Sequence, residues 1–436
     1  MTLTTVAFTV RRGEPALVGP AAPTPRETKR LSDIDDQETL RGQMPFLFLY
    51  RGGVHVRADN DDDPACVIRR ALGEALVPFY PLAGRLREVE GRKLVVDCTG
   101  EGVLFVEADA DVRLDELEAT GLRPPFPCMD QLLFDVDGSS AVLHCPLLLI
   151  QVTRLLCGGF VLALRLNHTI CDAIGLAQFM SAVAELARGL PAPTVAPAWS
   201  RELLEARNPP KPAFPHREFD AAPPPPPPPP DDMVTRTFTF SPADVAAIKR
   251  ALPLALREAT TTFEALTAAL WRARTAALAP PHDAEARLVS IVSFRGLPEL
   301  ELPAGYYGNA CVPVAALTTA GALLAGSLGD AVALVRGTKA AVTAEYVRST
   351  LDLLVLRGRP CVALANLFLV SDNRRAEFHR LDLGWGMPAY GGPAVALFGL
   401  SFFVQAGNGD DVAVLMALPR PAMDHFASEV ETLLKA

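Results

Sequence analysis

The sequence predicts an α/β protein of two domains, and three observations lead there. The chain has 436 residues, half of them apolar, which is too much for one compact core and enough for two. Strand-like alternation and helix-like spacing take turns along both halves. Between the halves, Pro223 to Pro230 places eight prolines in a row, flanked by Asp231-Asp232 and the Pro-containing stretch Asn208 to Pro215. Such a tract favours polyproline II at about 3.1 Å per residue, so it reaches roughly 25 Å as a stiff crossing. The expected division is therefore residues 1–205, a Pro-rich crossover at 206–233, and residues 234–436. A ligand for an aromatic groove is the other use of such a tract, and the linker reading fits better.

The elements follow in order. Thr2 to Val10 alternates apolar and polar residues before Arg11-Arg12. This predicts an amphipathic strand, because a signal peptide carries its charges ahead of its apolar run. The acidic run Asp59 to Asp63 reads as a solvated loop. Pro64 to Val77 has helical spacing, with Asp63 as N-cap and Pro64 at the first helical position. Lys93 to Asp97, Gly102 to Val106, Leu147 to Val152 and Phe160 to Leu166 read as strands. Ile174 to Leu190 reads as a helix. Thr261-Thr262-Phe263-Glu264 is a capping box opening a helix from Phe263 to Leu278, and Asp330 to Val347 reads as another long helix. No repeat of 20 to 50 residues is present.

Charge and cysteine usage narrow the function classes. A net charge of −9 without a basic tail argues against nucleic acid and anionic membranes as partners. No apolar run approaches the roughly 18 residues of a membrane span, so a soluble, cytoplasmic chain is expected. The eight cysteines are scattered singly with no Cys-x-x-Cys pair, which suggests neither a zinc site nor a disulfide framework. Free thiols are expected.

Among the stretches that place a histidine four residues before an aspartate are His168 to Asp172 and His216 to Asp220. The second sits in the Pro-rich crossing with no apolar strand to hold it and reads as incidental. The first follows the strand Phe160 to Leu166 and precedes a helix, a setting that can fix an imidazole at a cavity edge. Gly175 just beyond permits close backbone approach. On this motif alone, His168 is either a core histidine satisfied by Asp172 or a general base able to take a proton from a hydroxyl. Rival chemistries lack their residues. Ala325 to Gly329 only approximates a nucleophile elbow, and no P-loop, Gly-x-Gly-x-x-Gly or His-Glu-x-x-His spacing occurs. A histidine base without a nucleophile partner points to direct transfer between two substrates, with no metal or bound cofactor.

His168 to Asp172 with Gly175 resembles the His-x-x-x-Asp-Gly hallmark of the plant BAHD acyltransferases. Asp382-Leu383-Gly384-Trp385-Gly386 resembles their Asp-Phe-Gly-Trp-Gly, with Leu383 in place of phenylalanine. Tyr80 to Arg85 and Gly305 to Asn309 match two lesser motifs of the family in order. The resemblance implies a chloramphenicol-acetyltransferase-like fold, with mixed sheets flanked by helices and a channel between the domains. It also implies a monomer that takes acyl-CoA and a small alcohol as substrates. In the family the motif aspartate, here Asp172, turns from the site to pair with an arginine, here Arg295. Ser293 replaces the aspartate usual two residues before that arginine. Asp382, Gly384, Trp385 and Gly386, with Asn309, take structural roles in the family.

Many members carry a tryptophan near the thioester upstream of the second motif. Here the segment is Val370-Ser371-Asp372-Asn373, leaving Ser371 as a candidate oxyanion donor. For the CoA phosphates, the helix N-terminus at Thr261 with Lys249, Arg250 or Arg274 is the candidate cradle. Pro23 to Glu27, Leu31 to Gln37 and Cys157 to Phe160 resemble the branch of benzyl alcohol benzoyltransferases and grass hydroxycinnamoyl-CoA:monolignol transferases. The expectation is p-coumaroyl or feruloyl transfer to a monolignol, with benzoyl transfer to benzyl alcohol as the alternative. A non-catalytic ligand-binding relative is the alternative of another class.

Overall fold

A computed structural model describes residues 6–53, 63–135, 142–220, 232–364, 366–407 and 409–435. The proline tract Pro223 to Pro230, most of the acidic run Asp59 to Asp63, and Thr2 to Thr5 of the amphipathic start lie outside these residues. The chain folds as two compact units, each built from three stretches. The first holds residues 1–205, 300–310 and 375–395, and the second holds 206–299, 311–374 and 396–436. This differs from the contiguous cut expected from the sequence, because two short segments of the second half pack within the first unit.

The strands are β1 (Val10–Arg12), β2 (Ala16–Val18), β3 (Thr28–Arg30), β4 (Gln43–Tyr50), β5 (Arg85–Val89), β6 (Lys93–Asp97), β7 (Val103–Ala110), β8 (Leu148–Arg154), β9 (Phe160–Asn167), β10 (Met233–Phe240), β11 (Glu285–Ser293), β12 (Cys311–Thr319), β13 (Leu367–Asp372), β14 (Tyr390–Pro393), β15 (Leu400–Ala406) and β16 (Asp411–Pro419). The longer helices are α1 (Pro64–Ala75), α2 (Ala173–Ala187), α3 (Pro242–Arg250), α4 (Thr262–Leu278), α5 (Leu328–Ala340), α6 (Ala344–Leu356) and α7 (Arg420–Lys435).

In the first unit the main sheet runs β1-β7-β8-β9-β4-β14, with β2 also on β7, and a small sheet runs β3-β6-β5. Among the described residues only β7 and β8 pair in parallel there. In the second unit the order is β10-β16-β15-β13-β11-β12, with β13 parallel to both β11 and β15. Both sheets are mixed, and the α/β class holds. β9 is buried along almost its whole length, as a central strand pairing with β8 and β4 must be. Helices α1 and α2 lie together beside this sheet, their buried faces joining Phe48, Phe79, Phe105, Phe160 and Phe179 in one core. The second core gathers around α4, which packs on α5 and α7 and buries Trp271 completely.

Local rules account for most helix ends. Asp63 caps α1 by accepting from Cys66 N at 3.1 Å, and Thr261 and Glu264 close a reciprocal capping box on α4. The helix expected from Asp330 to Val347 is corrected to two, α5 and α6. Thr343 caps α6 by accepting from Tyr346 N at 3.2 Å, and a threonine hydroxyl serves a helix start better than an interior. Among the described residues of the expected first strand, Val10 opens the pairing segment Val10–Arg12, against β7. All eight cysteines are free thiols. Burial pushes the Cys98 thiol up to about 11. Among the described residues no helix is long and apolar enough to cross a membrane.

Candidate active site

The loop from His168 to Asp172 grows out of the end of β9. Asn167 closes that strand, and its side-chain oxygen accepts from Thr169 N at 3.2 Å and from Thr169 Oγ1 at 2.7 Å. His168 N donates to Gly42 O at 2.9 Å, and Ile170 N donates to Asn167 O at 3.1 Å. These bonds turn the chain so sharply that β9 ends and α2 begins within five residues. Asp172 is the N-cap of α2: Oδ1 accepts from Ile174 N at 3.1 Å and Gly175 N at 3.0 Å. Its Oδ2 accepts from Ala310 N at 2.9 Å. A carboxylate holding three N–H groups near a helix N-terminus is a strong anchor.

Gly175 answers a close approach, since a Cβ there would stand 2.0 Å from Tyr307 O. The imidazole of His168 is half-buried. Its Nδ1 is buried without a hydrogen-bond partner among the described residues. The amide of Asn309 is fully buried. Its Nδ2 donates to His168 O at 2.9 Å and to Asp35 Oδ1 at 2.8 Å. Asn309 is thus in contact with the histidine's own backbone.

The second motif forms a tight turn. Asp382 Oδ1 accepts from Gly384 N at 2.8 Å and Gly386 N at 2.9 Å. Both glycines have φ values, 109° and 82°, that favour a residue without Cβ. Leu383 is fully buried, Trp385 sits edge-on to Phe160 at 5.1 Å, and Arg188 donates to Asp382 O.

Arg295 follows β11 in the second unit, whereas Asp172 belongs to the first. Of the other candidates in the second unit, Lys249 and Arg250 are last-turn cations of α3. The hydroxyl of Thr261 is used as the α4 cap, accepting from Glu264 N at 3.2 Å. Arg336 and Lys339, at 3.2 and 3.0 Å from the Glu264 carboxylate, are the cations at that helix end. Sequence reasoning missed them, because they sit on a different helix some seventy residues away.

Arg274 is no surface cation. It is 3% exposed, its guanidinium lies 5.5 Å from the rings of Phe368 and Phe398, and burial lowers its pKa to about 10. Of the three cations expected beside the Thr261 helix N-terminus, Arg274 is the buried one. Ser371 gives its hydroxyl proton to Asn373 Oδ1 at 3.1 Å, so it is not held ready for an oxyanion.

His216, read from sequence as incidental, is 1% exposed and fully engaged. Its Nδ1 meets Glu218 Oε1 at 2.9 Å and its Nε2 meets Ser349 Oγ at 2.7 Å, while Asp220 pairs instead with Arg217. The order Ser-His-Glu mimics an acyl-transfer triad. However, Ser349 Oγ already accepts from Ala213 N and Phe214 N at 2.8 and 3.1 Å and is sealed in the core. The cluster, completed by Tyr346 on Glu218 at 2.9 Å, is a strut that pins this segment to α6.

A profile of the Transferase family matches residues 8–433. The chain is 51% identical to benzyl alcohol O-benzoyltransferase of Petunia hybrida, over 99% of this chain and 95% of that one. It is 50% identical to the enzyme of the same name from Nicotiana tabacum, with the same coverage. To an alcohol acyltransferase of Actinidia chinensis it is 46% identical, over 98% and 94%. In fold it is similar to vinorine synthase, with a TM-score of 0.75 at 21% identity over 98% of each chain. It is also similar to TRI101 of F. graminearum complexed with coenzyme A and T-2 mycotoxin, at 0.72 and 16% over 92% and 97%. The relatives matched in sequence carry the names of benzyl alcohol O-benzoyltransferases and an alcohol acyltransferase. With a matching profile over nearly all its length and relatives at half identity, the chain belongs to the Transferase family, the BAHD acyltransferases, and is an acyl-CoA-dependent enzyme acting on alcohols.

Proposed function

We propose that the chain transfers an aromatic acyl group, benzoyl first among them, from CoA to a primary alcohol such as benzyl alcohol, with His168 as the base. The observation that carries the mechanism is the His168 imidazole itself. Its backbone is tied at N and O to Gly42 and Asn309, its Nδ1 is buried without a partner among the described residues, and Nε2 is the nitrogen offered to the alcohol. The 51% identity to a benzyl alcohol O-benzoyltransferase supports the substrate class.

In this reading Nε2 takes the proton of the alcohol as its oxygen attacks the thioester carbonyl. The tetrahedral oxyanion then collapses, the C–S bond breaks, and the thiolate recovers the proton from the imidazolium. General-base assistance contributes about 10² to 10⁴ in rate, and positioning of two substrates contributes the rest. CoA is a substrate here, and no resident cofactor is invoked. Asp172 serves as the loop's anchor. The α4 N-terminus, with Arg336 and Lys339, is the candidate support for the CoA phosphates. The enzyme works as a monomer.

A donor-by-acceptor screen tests this. Benzoyl-, p-coumaroyl-, feruloyl- and acetyl-CoA are paired with benzyl, coniferyl and sinapyl alcohols, reading ester mass and free CoA, with His168→Ala as the control. Benzyl benzoate as the best product, lost in His168→Ala, is the expected result. Hydroxycinnamoyl esters as the best products would move the substrate class while keeping the mechanism. An active His168→Ala enzyme would overturn the mechanism.

A further inference from the structure

Arg201 lies in the first unit, on the short turn Arg201–Leu204 that follows the residues bridging to Tyr306. It is 1% exposed. Its Nε faces Asp35 Oδ2 at 3.1 Å, an ion pair in which neither side chain meets solvent to more than 2%. Three aromatic rings box the guanidinium: Trp199 at 4.4 Å, Tyr306 at 5.0 Å and Tyr307 at 5.1 Å. Gly308 completes the box, because a Cβ there would fall 1.2 Å from Nη1.

A buried ion pair stabilises little over well-packed apolar side chains, since desolvation offsets most of the attraction. Packing therefore does not explain this arginine. Its directed bond does: Nη2 donates to Ile170 O at 2.7 Å, inside the His168-to-Asp172 loop. Asp35, on the other side of the pair, passes the constraint on. Its Oδ1 accepts from both Asn309 N at 3.0 Å and Asn309 Nδ2 at 2.8 Å, and Asn309 Nδ2 donates onward to His168 O at 2.9 Å. Ser32 fixes the Asp35 carboxylate from behind, its hydroxyl donating to Oδ2 at 2.7 Å. The carbonyls of His168 and Ile170, on either side of Thr169, thus hang from one buried assembly of Arg201, Asp35 and Asn309.

We infer that Arg201, acting through Ile170 O directly and through Asp35 and Asn309 onto His168 O, is a positioning residue for the catalytic histidine. The inference rests on His168 being the base. The guanidinium is suited to this because it is planar, permanently charged and able to serve a carboxylate and a carbonyl at once while stacking on rings. A lysine ammonium keeps the charge beside Asp35 and loses the second arm and the stacking. Displacing a reacting group by about 1 Å costs up to about 10²-fold in rate.

The test compares the full chain with Arg201→Lys, Asn309→Ala, the double variant and His168→Ala, using the best donor and acceptor from the screen. Rates are scaled to the folded fraction from near-ultraviolet circular dichroism. Each single variant is expected to lower kcat about 10- to 100-fold with KM unchanged for both substrates. The double variant is expected to fall no lower than the poorer single, as residues of one network do. A residue that only holds the fold would lower the folded fraction without splitting kcat from KM. Unchanged kcat in both singles, losses that merely follow the folded fraction, or multiplicative losses in the double would overturn the inference. If Arg201→Lys does not accumulate as folded protein, Asn309→Ala decides, with a kcat loss at constant KM supporting the inference and an unchanged kcat refuting it. Activity in His168→Ala would remove the base itself. An inactive His168→Ala beside unaltered Arg201→Lys and Asn309→Ala would sink only the positioning role.

Discussion

At the scale of single residues, the histidine loop shows why a short motif carries more than its reactive group. Asp172 holds three N–H groups, and Gly175 lets Tyr307 O approach to a distance no Cβ would tolerate. Gly175→Ala is therefore expected to destabilise by about 1–3 kcal/mol through overpacking and to lower kcat, because the loop must shift against its anchors. Thermal melts and steady-state rates check this, and a variant with wild-type kcat would show that the loop yields without moving His168. The spacing His-x-x-x-Asp was legible in the sequence together with its strand-turn-helix setting. Arg201 was not: nothing in the local pattern around Trp199-Ser200-Arg201 marks an arginine whose carboxylate partner lies at Asp35. The same limit hid the strut at His216, because its partners Tyr346 and Ser349 lie on α6.

At the scale of elements, capping decides where helices begin, and at α4 it also sets a pH dependence. Burial alone would raise the Glu264 carboxyl. The Thr261 backbone N–H, Lys339 and Arg336 outweigh that and hold it below its ordinary value. A carboxyl lowered in the folded state contributes stability that is fully present above the unfolded value, about 4.3. That contribution is lost as pH falls through the lower folded value. Glu264→Gln should thus lower stability at pH 7 by about 1 kcal/mol. The gap to wild type should close as pH drops below about 4. Urea midpoints at neutral and acid pH measure it, and a gap independent of pH would mean that the carboxylate charge is not what stabilises the helix. Such capping signals are local, which is why α1 and α4 were readable to within a residue or two at their starts. The break between α5 and α6 at Thr343 is carried by one hydroxyl within a continuous helical spacing, and periodicity alone passes over it.

At the scale of the whole molecule, the first unit takes in two short segments from the second half of the chain. Segment 300–310 brings Asn309 and Ala310 to Asp35 and Asp172, and segment 375–395 adds β14 beside β4 along with the buried side chains of Phe378, Leu381 and Leu383. A fragment of residues 1–205 lacks all of these and is expected to show no cooperative thermal transition by circular dichroism, whereas the full chain melts sharply. A sharp transition in the fragment would mean that the first unit does not need its borrowed segments. The sequence by itself determined the α/β class, the strands around the core, most helix starts, the histidine loop and the family resemblance, because each is written in local periodicity, capping or a contiguous motif. Only the tertiary structure decided that Arg274 is buried between two rings, that Arg336 and Lys339 stand at the α4 start, and that Arg201 reaches the histidine loop. Those facts depend on which side chains meet across tens to hundreds of residues, and one chain's residue order carries no direct record of such distances.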